Sequence, residues 1–222
     1  MLKLNNLSKT YTQGEKSVPV LSDLNFHLNK GEIVSIMGKS GSGKSTLLSL
    51  ISGILKSDDG DIILNSKSYN GLSEVELADL RASHIGFVFQ NFHLVSYLNA
   101  LENVMLPAKV NGVTNPKERA MDLLEKVGLK DRANHLPSEL SGGEKQRVAI
   151  ARALIHDPKL ILADEPSGSL DEQTGEEVMD MLFELVQKNE TSLILVTHAL
   201  NVAQRCQKIY NFTDGQLVAH EI

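Results

Sequence analysis

The 222-residue chain has a single cysteine, Cys206, so no intrachain disulfide can form, and the composition fits a reducing compartment. The spacing of Cys206 from Ala203 suits a packed helix face better than a redox centre. Long apolar runs are also missing. No stretch approaches the roughly 18 consecutive apolar residues of a bilayer-spanning helix: Leu47 to Leu55 is short, and Thr191 to Gln204 is interrupted by Thr197, His198 and Asn201. There is no excess of positive charge. With 22 Lys and Arg against 28 Asp and Glu, the formal charge is −6, which disfavours a broad nucleic-acid-binding surface. Met1 to Tyr11 is polar and alternating, without the apolar centre of a secretory signal, and the expectation is a protein that stays on the cytoplasmic side. Internal repeats and low-complexity tracts are absent. Apolar residues make up 41%, enough for one substantial core or one core plus a lobe.

The most informative segment is Gly38, Lys39, Ser40, Gly41, Ser42, Gly43, Lys44, Ser45, which spells G-x-x-x-x-G-K-S. Glycines let the backbone curl until several N–H groups face one anion, and the helix that follows adds the positive end of its dipole. In this pattern the lysine, Lys44, reaches the β- and γ-phosphates of a nucleotide and the serine, Ser45, ligates Mg2+. The flanks agree. Ile33, Val34, Ile36 and Met37 form a short apolar strand signal, and Leu47, Leu48, Ile51, Ile54 and Leu55 follow at helical spacing. A flexible Gly/Ser linker would lack both.

Elsewhere, Leu2, Leu4, Leu24, Phe26 and Leu28 alternate with polar residues, the period of half-covered strands. Asp59-Gly60 reads as a tight turn entering a strand at Ile62-Ile63. Ser73 and Glu76 form a capping box for a short helix with Leu77 and Leu80, and Gly86 to Gln90 reads as a strand. From about Phe92 to Asp157 the character is helical, with Asn115 expected as an N-cap, Pro116 at the first helical position and Gly128 beyond the end. Leu160 to Ala163 and Leu193 to Val196 are apolar runs separated by a helix carrying Val178, Met181, Leu182 and Leu185, the pattern of parallel strands with helical crossovers. Ile209 to Phe212, Asp214-Gly215 and Leu217-Val218 suggest a closing hairpin.

Three features narrow the chemistry. The strand Leu160 to Ala163 delivers Asp164 and Glu165 at its carboxyl end, where parallel α/β sheets bind ligands; Asp164 can hold Mg2+ through its water shell and Glu165 can polarise the attacking water, an N-cap or exposed turn being the bland alternative. Leu140-Ser141-Gly142-Gly143-Glu144 precedes an apolar-faced helix with Val148, Ala151, Leu154 and Ile155, either a second anion-binding helix start or simply a good helix entry. His198 follows the strand ending at Val196 and can reach a γ-phosphate or serve structurally.

In order and spacing, Gly38 to Ser45, Gln90, Leu140 to Glu144, Asp164-Glu165, Ser169-Leu170-Asp171 and His198 resemble the ATP-binding cassette family of transporter ATPases over essentially the whole chain. The resemblance attaches to them the names Walker A, Q-loop, signature, Walker B with its glutamate, D-loop and H-switch. It implies an α/β fold: a P-loop NTPase core with a mixed, mainly parallel sheet, an N-terminal antiparallel β-subdomain and an inserted α-helical subdomain. The whole chain is then one cassette domain, with residues 1–91 and 158–222 as the core and 92–157 as the helical part. Implied catalytic residues are Glu165, His198, Gln90 and Lys44. Implied contacts to ATP are Tyr11, whose ring would stack on adenine, Gly38, Lys39, Ser40, Gly41, Ser42, Gly43, Lys44, Ser45, Thr46 and the set Ser141, Gly142, Gly143, Glu144; Mg2+ would be held by Ser45, Gln90 and Asp164.

Implied partners are a second copy, docked head to tail on ATP, and an integral membrane permease, whose helix would dock near Phe92, Leu94 and Leu98; nucleic acid is not among them. The implied location is the cytoplasmic face of the inner membrane, held there through the permease. Gly86-Phe87-Val88-Phe89-Gln90, Leu98 to Val104 with Pro107, and Val196-Thr197-His198 look most like the lipoprotein-release, macrolide-export and cell-division cassettes of LolD, MacB and FtsE type, and especially the YbbA-like group. An importer cassette and a soluble non-transport cassette are the alternatives. Three positions depart from the family pattern: Ser167 stands where Thr is usual, Ser169 where Asn is common, and Ala199 where Asp follows the switch histidine.

Overall fold

Leu2 and Leu4 face one side of the first strand as their spacing predicts, yet Leu7 is buried with them, three residues on. A bulge at Asn6, whose φ is 48°, absorbs the extra residue and shifts the register between Leu4 and Leu7. Asp23, φ 49°, sits between buried Leu21 and Leu24 in the partner strand.

The computed structural model describes residues 1–14 and 16–220. In chain order the strands and α-helices are β1 (Leu2–Gln13), β2 (Lys16–Leu28), β3 (Ile33–Met37), α1 (Lys44–Ile51), β4 (Asp59–Leu64), β5 (Lys67–Ser68), α2 (Glu74–His84), β6 (Ile85–Phe89), α3 (Ala100–Val110), α4 (Lys117–Lys126), α5 (Gly142–Leu154), β7 (Leu160–Asp164), α6 (Glu172–Lys188), β8 (Ser192–Val196), α7 (Leu200–Ala203), β9 (Lys208–Thr213) and β10 (Gln216–Ala219). They fall into two compact units, Met1–Arg81 with the segment from Ser192 onward, and Ala82–Thr191.

In the first unit, one sheet is antiparallel, ordered β2-β1-β4-β5. Its ladder sets Leu2 between Leu28 and Leu64, and Leu4 between Phe26 and Ile62. Each of these side chains is buried, contributing about 1.5–3 kcal/mol relative to exposure. Asp59-Gly60 is not the turn that the sequence predicts. Both residues lie within β4, and Gly60, φ +85°, passes so near the Asn5 and Asn6 carbonyls that a Cβ would collide with them; the glycine is there for close approach. The remaining strands run in the order β10-β9-β3-β8, with β3 parallel to β8 and β9, and β10 closing as the expected hairpin. Every residue of β8 and the first four of β3 are buried, as strands covered on both faces must be.

In the second unit, β6 and β7 are parallel. Helix α3 opens on the Asn99/Glu102 capping box, with Leu101, Val104, Met105 and Ala108 buried. Helix α4 departs from expectation at its start: Pro116 is the N-cap, and Asn115 has φ +59°. Asparagine tolerates the left-handed region, so it serves the turn before the helix. Its end is as predicted. Gly128, φ +71°, donates to Glu125 O and Leu129 N–H to Leu124 O, the paired bonds of a Schellman stop. The α/β reading therefore holds in both units, together with the antiparallel subdomain.

Candidate nucleotide site

The glycine loop belongs to the first unit. Strand β3 ends at Met37, and Gly38 turns beneath the β9 backbone so closely that a Cβ would lie 2.8 Å from Phe212 O and 3.2 Å from Ser42 Oγ. Gly43 has φ +113°, and a Cβ there would lie 2.5 Å from Val20 Cγ1. Helix α1 starts at Lys44 with Gly43 as N-cap and no side-chain cap, so its first N–H groups face outward with the positive end of the dipole. Lys44, itself buried, donates from Nζ to Gly38 O and Lys39 O at 2.8 Å each. Its ammonium is thereby held across the curl of the loop. Ser42 Oγ is buried without a hydrogen-bond partner among the described residues, a polar atom that an anion oxygen would satisfy. Lys39, Ser40 and Ser45 are exposed and Thr46 is half-buried. This donor set fits a polyphosphate.

His198 leaves the same end of the same strands. Ile36 pairs with Val196 in parallel register, and Thr197 N–H donates to Ile36 O, so the chain reaches His198 two residues past β8 just as it reaches Gly38 two residues past Ile36. Ala199 N–H bonds to Thr197 Oγ1, and the histidine is exposed. Tyr11 lies on β1 opposite Val18. Both are about 40% exposed, at 39% and 40%, so Tyr11 is outside the core and presents a flat face at the hairpin.

In the second unit, Phe89 pairs with Asp164 at the ends of β6 and β7. Gln90 and Glu165 therefore leave the two strands side by side. Asp164 and Glu165 are half-buried, and Gln90 is exposed. Glu165 has φ +49°, a conformation that a non-glycine residue adopts only when its surroundings enforce it. Its carbonyl accepts from Gly168 N–H at 2.9 Å. A Cβ on Gly168 would lie 2.9 Å from Gln90 Nε2, so the glutamine amide rests on this glycine.

The Ser141 segment caps α5. Ser141 Oγ accepts from Glu144 N–H at 3.2 Å, and the Glu144 carboxylate accepts from Ser141 N–H at 2.7 Å. That N–H, with help from Arg132 and Arg147, holds the Glu144 carboxyl below its ordinary value. Gly142 and Gly143 let this helix start seat against its neighbours: a Cβ on Gly143 would collide with the Thr174 methyl, and one on Gly142 would come within 3.1 Å of Leu170. Asp171 caps α6 by accepting from Thr174 N–H at 3.0 Å, which lowers its carboxyl too. Phe92, Leu94 and Leu98 are half-buried.

Three residues that the sequence reading passed over hold this unit's turns. Asn103, fully buried, bonds through its amide to both backbone groups of Val95 and to the Leu98 and Asn99 carbonyls. Gln146 and Arg152, both on α5, reach back to the chain around Gln90. A buried amide on an apolar helix face was the available signal: Gln146 shares its row with Gly143, Ala149, Ile150 and Ala153.

Comparison with known proteins follows the same lines. The family profile described as ABC transporter matches residues 21–168. The chain is 47% identical over 220 residues to the lipoprotein-releasing system ATP-binding protein LolD of Hydrogenovibrio crunogenus, covering 98% of this chain and 96% of that one. It is 44% identical to the ABC transporter ATP-binding protein YbbA of Escherichia coli K12, covering 98% and 96%. Among solved structures, the dimeric post-hydrolysis state of the cassette MJ0796 bound to ADP and Pi superposes with a TM-score of 0.90 at 41% identity, covering 100% of this chain and 98% of that one.

Proposed function

Since this chain belongs to the ABC transporter family, we propose that it is the ATP-binding and ATP-hydrolysing subunit of a transporter whose membrane-spanning permease is a separate chain. The observation that carries this reading is the loop at 38–45, where Lys44 is held across a glycine curl, the α1 N-terminus lacks a side-chain cap and the Ser42 hydroxyl is buried without a partner among the described residues. Gly38, Lys39, Ser40, Gly41, Ser42 and Gly43 wrap the phosphates, Lys44 neutralises the β- and γ-oxygens, and Thr46 adds a hydroxyl at the helix start. Tyr11 stacks on adenine. Ser45, Gln90 and Asp164 offer the oxygen donors that Mg2+ prefers, few enough to leave room for water and phosphate ligands. Bound there, the ion supplies charge neutralisation.

Glu165 takes a proton from the water that attacks the γ-phosphorus, the bond to the β-γ bridging oxygen breaks, and the leaving ADP carries the released charge. Gln90 orients that water, and His198 contacts the γ-phosphate. Two copies associate head to tail, so that Ser141, Gly142, Gly143 and Glu144 of one complete the site of the other. A dimer is the form in which the related MJ0796 cassette was found with ADP and Pi. Closure on ATP and opening after hydrolysis drive the permease, through residues 92–157 and a surface near Phe92, Leu94 and Leu98. Residues 1–91 and 158–222 act as the nucleotide-binding core. No helix among the described residues is long and apolar enough to cross a membrane, so attachment to the cytoplasmic face of the inner membrane comes through the permease. The similarity to LolD favours export or lipoprotein release.

Glu165→Gln tests the reading. Turnover falls by about a hundredfold or more while ATP affinity is kept, and Mg-ATP converts the variant to a dimer visible by solution scattering. Near-wild-type hydrolysis by the purified variant, or single subunits at saturating Mg-ATP, refutes it.

A further inference from the structure

Gln146 is fully buried on α5 and bonds to two separate chain segments. Its Nε2 donates to Phe89 O at 3.2 Å and to Pro166 O at 2.6 Å. Phe89 immediately precedes Gln90, and Pro166 immediately follows Glu165. The β6/β7 ladder ends at the pair Phe89 and Asp164; beyond it, Gln90 enters a turn and Glu165 takes φ +49°. Gln146 therefore supplies one further rung where backbone pairing stops. Both N–H donors are spent on it, and Oε1 is left buried without a partner among the described residues. A buried acceptor left unpaired is unfavourable, so this side chain is poorly explained as a device for stability alone.

The far end of the same turn is tied to the same helix. Phe92 and His93 have φ of 56° and 48°, and the Arg152 guanidinium donates to Phe92 O at 2.7 Å and to His93 O at 2.5 Å. Helix α5 thus grips residues 90–93 before and after, and it begins at the Ser141 cap. We propose that Gln146 is a positioning residue for hydrolysis: its amide fixes the separation between the segments carrying Gln90 and Glu165 and, with Arg152, makes the turn move with the start of α5. It touches neither nucleotide nor water in this scheme. The proposal rests on the catalytic reading of Gln90 and Glu165 given above.

The test compares full-length wild type, Gln146→Met and Gln146→Glu in steady-state hydrolysis of Mg-ATP between pH 6 and 8, about the range where a buried carboxyl keeps its proton, with thermal melting of each. Methionine keeps the volume and removes both donors; kcat falls about tenfold or more, while KM for ATP stays within about twofold. Protonated glutamic acid restores one donor, so the Gln146→Glu to wild-type rate ratio rises as pH falls, whereas the Gln146→Met ratio stays flat. A folded Gln146→Met with wild-type kcat overturns the proposal. So does a fall in kcat accompanied by matching losses in KM and melting temperature with no acid recovery in Gln146→Glu. If Gln146→Met does not fold, the pH dependence of Gln146→Glu decides alone. Loss of this effect with wild-type turnover intact removes only the positioning role; absence of wild-type turnover removes the catalytic reading with it.

Discussion

The turns at residues 38–45 and 90–93 both leave the end of a parallel strand, but they are held in opposite ways. The first is shaped from within. Gly41 and Gly43 take φ of +75° and +113°, which disfavour other residues, and its own lysine bonds to its own carbonyls. The second has no glycine and is shaped from outside, by Gln146, Arg152 and the Gly168 backbone, each more than fifty residues away in sequence. A phosphate cradle must present backbone N–H groups at fixed angles, which local geometry delivers. A turn that positions one side chain can be carried by whatever holds it, and so can be moved by it.

The comparison breaks most severely at Gly43. Alanine there meets both a φ of +113° and Val20 Cγ1 at 2.5 Å, so nucleotide affinity is expected to fall by tenfold or more and stability by about 2–3 kcal/mol. Gly41→Ala is the control. Its φ is +75° but nothing lies within 4 Å of the added carbon, leaving a conformational cost of about 1 kcal/mol. Combining Gly43→Ala with Val20→Ala separates the two causes, because removing the methyl relieves the collision and not the backbone strain. Titration with a fluorescent ATP analogue and thermal melting of the three variants and the wild type check this. Equal losses at Gly41 and Gly43 would mean that the loop is not held by its own conformation.

The same contrast explains what could be read beforehand. Gly38 to Ser45 was legible because every determinant lies within eight consecutive residues. Asp164, Glu165 and His198 were legible as residues just past apolar strands, and the Ser141 and Ser73 capping boxes as spacings of three. Bulges were not. Leu7 and Leu21 violate the period of two, and only the paired strands show that Asn6 and Asp23 restore it. Gly60 misled because a glycine after aspartate reads as a turn, while its reason is a neighbouring carbonyl from residues 5 and 6. The row that Gln146 shares with small and apolar residues signals its burial, but what Gln146 and Arg152 hold has no sequence signature, because their acceptors are backbone carbonyls.

A smaller effect probes the outside-held region without touching the strand ends. Asn103→Ala removes the amide that brackets Val95, Leu98 and Asn99, leaving buried backbone groups unpaired at about 2 kcal/mol in all. Melting temperature should fall by about 4–8 °C for a chain of this size, with ATP affinity unchanged because the 38–45 loop does not depend on it. A matching loss of affinity, measured by the same titration, would show that the two turns are not independently held.

The smallest expected effect is electrostatic and depends on pH. Glu144 completes the cap on α5, and the Ser141 N–H, aided by Arg132 and Arg147, lowers its carboxyl in the folded protein. A lowered folded-state value means that the charged carboxylate favours folding above the ordinary glutamate range, about pH 4.3, and that this contribution disappears as pH falls through the folded-state value. Glu144→Gln keeps an acceptor for the Ser141 N–H and discards the charge, so it should cost about 0.5 kcal/mol at pH 7. As pH falls through that lowered value the wild-type carboxyl becomes protonated and resembles the amide, and the two denaturation curves should converge. A gap that stayed constant from pH 7 to acid would assign the loss to hydrogen-bond geometry instead, and would make this helix start, like the turn that α5 holds, a matter of donors and acceptors alone.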